Sequence, residues 1–294
     1  MQLFLKRILF VILLFCASTL LSSCATYEID ELLEDDSVQT YDYTTQELWT
    51  KHGDKRIYGV LYKPKGVTGK MPVCIMSHGF NGNHKNSRDY TQAMAQLGYL
   101  TYAFDFCGAG TRSKSDGKTT EMSIITERDD LEAVIDYFKS RDDVDTSRIT
   151  LMGDSQGGMV TALAAADRAE DIERIALFYP ALCIPDDWLE KYGSIENVPE
   201  TVSFGEVTLG SVYFTDAWGL IDRVYEEISK FKGPVLLVHG TADDTVPISY
   251  SERAASEEGY GSQCEFHIIN GAGHGFKGDD RRESLTYTVQ FMSK

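Results

Sequence analysis

The sequence is short of several things, and each shortage closes off a class of protein. Its 294 residues include only six cysteines, with no Cys-x-x-Cys pair among them. That spacing is what zinc knuckles and dithiol redox sites require, so neither a metal centre nor a dithiol site is expected. No internal repeat or low-complexity tract is visible, which sets aside repeat arrays and disordered linkers. Positive charge is scarce: 28 Lys and Arg face 45 Asp and Glu, a formal net charge of −17. Such a chain repels phosphate backbones, so no nucleic-acid partner is expected. What is plentiful is ordinary core material, 43% hydrophobic and 11% aromatic. A chain of this length and composition buries a large core and is neither disordered nor fibrous.

The first two dozen residues differ from the rest. Lys6 and Arg7 precede an apolar run from Ile8 to Leu21, and small residues follow. This is the layout of a secretory signal, too short for a comfortable membrane span. Its end, Leu21-Ser22-Ser23-Cys24, resembles the lipobox of bacterial lipoproteins. The resemblance implies removal of residues 1–23, acylation of Cys24 and export as a membrane-anchored lipoprotein on the cell surface or the periplasmic side. A plain signal peptide or an uncleaved anchor reads the same residues differently. Residues 24–50 contain the acidic run EIDELLEDDS and few core residues, which predicts a solvated tether ahead of a catalytic domain over 51–294. Four cysteines remain in that body: Cys74, Cys107, Cys183 and Cys264. They allow three pairings in an exported protein, and sequence does not choose among them.

From about residue 55, short apolar runs alternate with helical patterns. Strands are expected at 56–62, 73–77, 100–105, 149–153, 175–179, 235–239 and 265–269. Helices are expected at 87–97, 126–140, 157–168, 221–230, 249–258 and 281–292. Several strand runs are solidly apolar, as in strands covered on both faces of a parallel sheet. The alternation predicts an α/β fold with a doubly wound, mostly parallel sheet. One stretch, about 181–221, breaks the rhythm and carries Trp188, Tyr192, Phe204, Tyr213, Phe214 and Trp218. A connection this long is rarely idle, so it reads as a cap inserted over a pocket. The alternative is a surface excursion packing its own aromatics.

The strongest local signal is Gly153-Asp154-Ser155-Gln156-Gly157-Gly158, between an apolar strand run and a helical run. In that context G-x-S-x-G is a sharp turn that lifts a serine hydroxyl above the sheet. A serine needs a base, and the base needs a carboxylate, in the chain order serine, acid, histidine. Histidine is also scarce, with only six in the chain. His274, in the loop Gly271-Ala272-Gly273-His274-Gly275-Phe276 after the last strand run, stands where the base is needed. Asp243 fits the acid in Gly240-Thr241-Ala242-Asp243-Asp244-Thr245-Val246-Pro247; adjacent residues in a tight turn point differently, so only one of Asp243 and Asp244 should face His274, and the spacing favours Asp243. An oxyanion needs two N–H donors. Gln156 follows the nucleophile, and Phe80 lies in Ser77-His78-Gly79-Phe80-Asn81-Gly82 at another strand end. This chemistry calls for no metal or organic cofactor.

Together these motifs resemble the α/β-hydrolase superfamily, and within it the bacterial cinnamoyl (feruloyl) esterases. The resemblance runs over about residues 55–292. It rests on H-G-F-x-G at 78–82, D-F-x-G-x-G at 105–110, G-x-S-Q-G-G at 153–158, T-L-G-x-x-Y at 208–213, H-G-T at 239–241 and G-A-x-H-x-F at 271–276. It implies hydrolysis of small esters or feruloylated oligosaccharides, releasing ferulate or coumarate from plant cell-wall sugars. It also implies a cap over the aromatic acyl group, with Asp187 and Tyr213 touching the phenolic hydroxyl. Asp186 stands beside Asp187. The same triad serves short-chain carboxylesterases, deacetylases and peptidase-like hydrolases.

Overall fold

Every apolar run read as a strand lies in one sheet. The computed structural model describes residues 29–35 and 37–294. The signal region and Cys24 lie outside the described residues. Eight strands form the main sheet: β1 (Tyr43–His52), β2 (Lys55–Pro64), β3 (Met71–Ser77), β4 (Leu100–Phe104), β5 (Val144–Asp154), β6 (Arg174–Phe178), β9 (Val235–Gly240) and β10 (Cys264–Ile269). The order is β1-β2-β4-β3-β5-β6-β9-β10. β1 and β2 pair antiparallel, as do β2 and β4, and all later neighbours are parallel.

The side-chain alternation of the central strands shows why they read as unbroken apolar runs. Ile75, Leu177 and Leu237 point to one face, where α2 (Ile124–Lys139), α3 (Gln156–Asp167) and α6 (Val224–Ile228) cover them. Met76, Phe178 and Val238 point to the other, under α1 (Arg88–Gln96) and α8 (Gly278–Met292). Both faces are therefore core, and each fully buried Leu, Ile or Phe contributes about 1.5–3 kcal/mol. Another helix, α7 (Ser249–Ala255), is shorter than sequence suggests, and α6 keeps only the middle of its expected span.

One expectation is corrected. The stretch 24–50 is not a free tether over its described part. Residues 43–50 belong to β1, paired along its whole length with β2. Upstream, Ile29 and Leu32 are buried against the α1 and α8 face, and Arg282 of α8 pairs with Glu31 at 2.8 Å. The described acidic residues of this segment face water while Ile29 and Leu32 dock, and composition averages those two populations. Leu32→Ala would cost about 2 kcal/mol of stability, read as a lower denaturation midpoint. A truly free tether would show no change.

The 181–221 insertion carries regular elements of its own. It holds α4 (Ile184–Tyr192), a hairpin of β7 (Thr201–Phe204) and β8 (Val207–Gly210), and α5 (Ser211–Trp218). Its aromatics pack on one another: Trp188 lies 4.8 Å from Phe214 and 5.6 Å from Phe204, ring centre to ring centre. The cluster also reaches the body through Phe80, 6.5 Å from Tyr213. The four body cysteines are all unpaired thiols. No described helix is long and apolar enough to cross a membrane.

Candidate active site

The parallel strands deliver the site residues to one edge of the sheet. Ser155 follows β5, Asp243 and His274 follow β9 and β10, and His78 to Phe80 follow β3. Loops leaving the carboxyl ends of neighbouring parallel strands converge, which is where sites in open α/β sheets form.

Ser155 sits on the turn between β5 and α3 with φ 52° and ψ −122°, a region L-residues rarely occupy. The turn persists because its surroundings over-determine it. The Ser155 N–H bonds Phe178 O at 3.0 Å, and Ser155 O accepts from Ala181 N at 2.9 Å. A Cβ on Gly157 would stand 2.4 Å from His78 O, so only glycine lets the start of α3 meet the end of β3.

The three expected catalytic residues form a connected run. His274 Nε2 lies 2.9 Å from Ser155 Oγ, and His274 Nδ1 lies 2.8 Å from Asp243 Oδ2. The carboxylate facing the histidine is Asp243, with its side chain fully buried, while Asp244 is exposed. Burial alone would raise the Asp243 pKa. Hydrogen bonds from His239 and His274 and the Val246 N–H outweigh it, holding the group below the usual carboxylate range.

Behind Asp243 stands a second histidine, at the carboxyl end of β9. His239 is fully buried, its Nε2 is 3.0 Å from Val246 O and 3.3 Å from Asp243 Oδ2, and its Nδ1 is 2.7 Å from Ser251 Oγ. A carbonyl only accepts, so Nε2 carries the hydrogen and Nδ1 accepts from the Ser251 hydroxyl. His239 thus adds a donor to the buried acid.

The expected oxyanion donors flank the serine. A Cβ on Gly79 would lie 3.0 Å from Ser155 Cβ, so the Gly79-Phe80 backbone runs against the nucleophile turn. Among the described residues, no acceptor within the chain takes the main-chain N–H of Phe80 or of Gln156. The first of these N–H groups is aimed by His78. The Phe106 N–H donates to His78 Nε2 at 3.2 Å, so Nδ1 is the protonated nitrogen and donates to Gly79 O at 2.8 Å. That carbonyl belongs to the same peptide plane as the Phe80 N–H, so fixing one fixes the other. Burial lowers the His78 pKa and keeps the ring in the neutral form this arrangement needs.

The two expected substrate contacts sit differently from each other. Asp187, half-buried on α4, lies with its carboxylate beside the Cys183 thiol, whose pKa is pushed up first by burial and then by that charge. Its neighbour Asp186 accepts from the Tyr250 hydroxyl at 3.0 Å. Tyr213 is only 3% exposed, and its hydroxyl donates to Gln156 Oε1 at 2.6 Å. No group of metal-ligating side chains occurs among the described residues.

A mostly parallel sheet carrying a serine on a strained strand-to-helix turn, with acid and histidine following in that chain order, defines an α/β-hydrolase fold. The chain belongs to the Dienelactone hydrolase family, which matches residues 57–290. Among solved structures it is similar to Est1E from Butyrivibrio proteoclasticus with ferulic acid bound. There the TM-score is 0.73 at 29% identity, over 83% of this chain and 97% of that one. Among curated relatives, the uncharacterized protein YfhR of Salmonella typhimurium is 29% identical over 61% of this chain, and the match spans 56% of that protein's length. A putative carboxymethylenebutenolidase of Methylorubrum extorquens is 23% identical over 72% of this chain and 66% of its own.

Proposed function

We propose that this protein is a serine carboxylic-ester hydrolase whose acyl group is a hydroxycinnamate, such as ferulate or coumarate, carried on plant cell-wall sugars. The observation that carries this reading is the run from Ser155 Oγ through His274 to Asp243, at 2.9 and 2.8 Å, set against the Gly79-Phe80 backbone. His274 takes the Ser155 proton as the hydroxyl attacks the ester carbonyl. The N–H groups of Phe80 and Gln156 hold the oxyanion, and Asp243 stabilises the imidazolium. His274 then protonates the leaving alcohol, and water repeats the cycle to free the acid. No cofactor takes part.

Two observations support an aromatic acyl group. Est1E, with ferulic acid bound, is a similar structure, and the cap brings an aromatic cluster to Phe80. The signal-like leader supports export, with Cys24 as the lipidated anchor. The described docking of Ile29 and Leu32 then holds the catalytic body close to the membrane surface.

A general short-chain carboxylesterase is the second reading. It is favoured by the way Trp188, Tyr192, Phe204 and Phe214 pack on one another instead of leaving a wide slot. A competition between methyl ferulate and methyl butyrate separates the two. Hydroxycinnamate specificity predicts a kcat/KM ratio of about tenfold or more in favour of methyl ferulate. A ratio below one reassigns the enzyme to short-chain esters.

A further inference from the structure

The structure contains a buried glutamate that the proposed mechanism does not use. Glu127 on α2 is 1% exposed, and its Oε2 accepts from Gln156 Nε2 at 2.8 Å. At the other end of the same amide, Gln156 Oε1 accepts from the Tyr213 hydroxyl at 2.6 Å. Three side chains from the body, the nucleophile turn and the cap therefore form one buried line. We infer that Tyr213 and Glu127 are positioning residues: they clamp the Gln156 amide from both ends, so that the cap fixes the second N–H donor of the oxyanion hole. The inference rests on reading the Gln156 N–H as that donor.

The geometry leaves little room for a different role. Gln156 is the first residue of α3, and its main-chain N–H is one of those a helix start leaves without an intrahelical acceptor. Its orientation is set by the Ser155–Gln156 peptide and by the side chain anchored beyond it. Gln156 is 1% exposed, so releasing either end leaves a buried amide group without a partner and free to drag the turn. The donor-acceptor directions agree along the line. The tyrosine O–H donates to the amide oxygen, the amide N–H donates to the carboxyl, and Met122 Sδ lies 3.8 Å from the same nitrogen. The opposite donor is fixed through His78 and Gly79 O. The hole would then have one donor set by the β3 loop and the other by the cap. The Tyr213 hydroxyl hydrogen is committed to Gln156 Oε1, so in this arrangement it is not free to donate to a substrate phenol.

Kinetics on two esters distinguish a clamp from a substrate contact. An oxyanion hole acts on every ester, whereas a phenol contact acts only on hydroxycinnamates. Tyr213→Phe would lower kcat about tenfold on both p-nitrophenyl acetate and methyl ferulate, with KM within about twofold. Affinity for phenylboronic acid, whose tetrahedral adduct on a serine places an oxygen in the hole, would weaken by a similar factor. Glu127→Leu would reproduce these losses. Glu127→Gln, which keeps an acceptor for Gln156 Nε2, would restore most of kcat, a rescue that general destabilisation does not predict.

A Tyr213→Phe loss confined to KM for methyl ferulate overturns the inference and makes Tyr213 a substrate contact. Unchanged kcat in both Tyr213→Phe and Glu127→Leu also overturns it while leaving the esterase reading intact. If Tyr213→Phe does not fold, the Leu and Gln pair at Glu127 decides alone. Wild-type protein that hydrolyses neither ester and does not react with a fluorophosphonate overturns the esterase reading and this inference with it.

Discussion

Ser155→Ala would reduce ester hydrolysis by about 10⁴-fold or more and leave the melting temperature within a few degrees of wild type. The large effect on rate follows from the removal of the hydroxyl placed to attack, 2.9 Å from His274 Nε2. The main-chain N–H groups of Phe80 and Gln156 survive, so a residual rate above that of water alone is expected if they hold the oxyanion. The small effect on stability follows from what alanine keeps. Its Cβ occupies the same space, and the lost hydroxyl made one hydrogen bond at a partly exposed site.

A companion variant separates chemistry from backbone strain. Ser155 holds φ 52° and ψ −122°, which costs a non-glycine residue roughly 1–3 kcal/mol. Ser155→Ala retains that cost and Ser155→Gly removes it. The glycine variant would be equally inactive yet about 1 kcal/mol more stable, roughly 2–4 °C in melting temperature for a domain of this size. Steady-state assay with p-nitrophenyl acetate and a thermal melt of each variant check both halves. A folded alanine variant turning over within tenfold of wild type would sink the nucleophile assignment. A glycine variant no more stable than the alanine one would show that the turn stores no strain.

How much of this could be read from sequence depends on how tightly chemistry constrains each residue. β3, β6 and β9 were legible because a strand covered on both faces has no polar position to break its apolar run. That Ser155, Asp243 and His274 lie together was legible because only a few residue types are suited to nucleophile and base work, and the fold orders such residues along the chain. β1 was missed because YTTQELWTKH is an edge strand with little buried surface, so its alternation carries no apolar signal. The β7 and β8 hairpin was missed because four-residue strands are too short to show a period.

Glu127 was missed for a different reason. It stands in the charged run Glu127-Arg128-Asp129-Asp130, which reads as a solvated face. Yet Glu127, Leu131, Ile135 and Phe138 share one helical stripe, and all four are buried. An acid in register with a core stripe was the available signal. Its partner, Gln156 on another helix, could not be found from one-dimensional spacing.

Burial raises the Glu127 pKa from 4.5 to about 8, and this makes stability depend on pH in a way that one substitution removes. The hydrogen bond from Gln156 works in the opposite direction, and the nearby Asp130 charge adds to the rise. Between those two values the native protein holds the Glu127 proton while the unfolded chain has lost it. Unfolding therefore releases a proton, and raising the pH favours the unfolded state. The stability that Glu127 protects is fully present below pH 4.5 and declines by up to about 1.4 kcal/mol per pH unit as the pH climbs toward 8. Across the whole window that is about 5 kcal/mol, a large share of a domain's total stability.

Glu127→Gln supplies the neutral side chain at every pH and keeps an acceptor for Gln156. Its stability would match wild type near pH 5 and exceed it by several kcal/mol at pH 8. Asp130 and Asp154 are also buried carboxyls with raised pKa values, so wild type has further pH dependence that the variant shares. The difference between the two proteins isolates Glu127. Urea unfolding at pH 5, 6, 7 and 8 measures it. Curves that diverge with rising pH place a proton on Glu127 in the native state, whereas parallel curves would mean that the carboxylate is ionised and that Gln156 binds a buried charge.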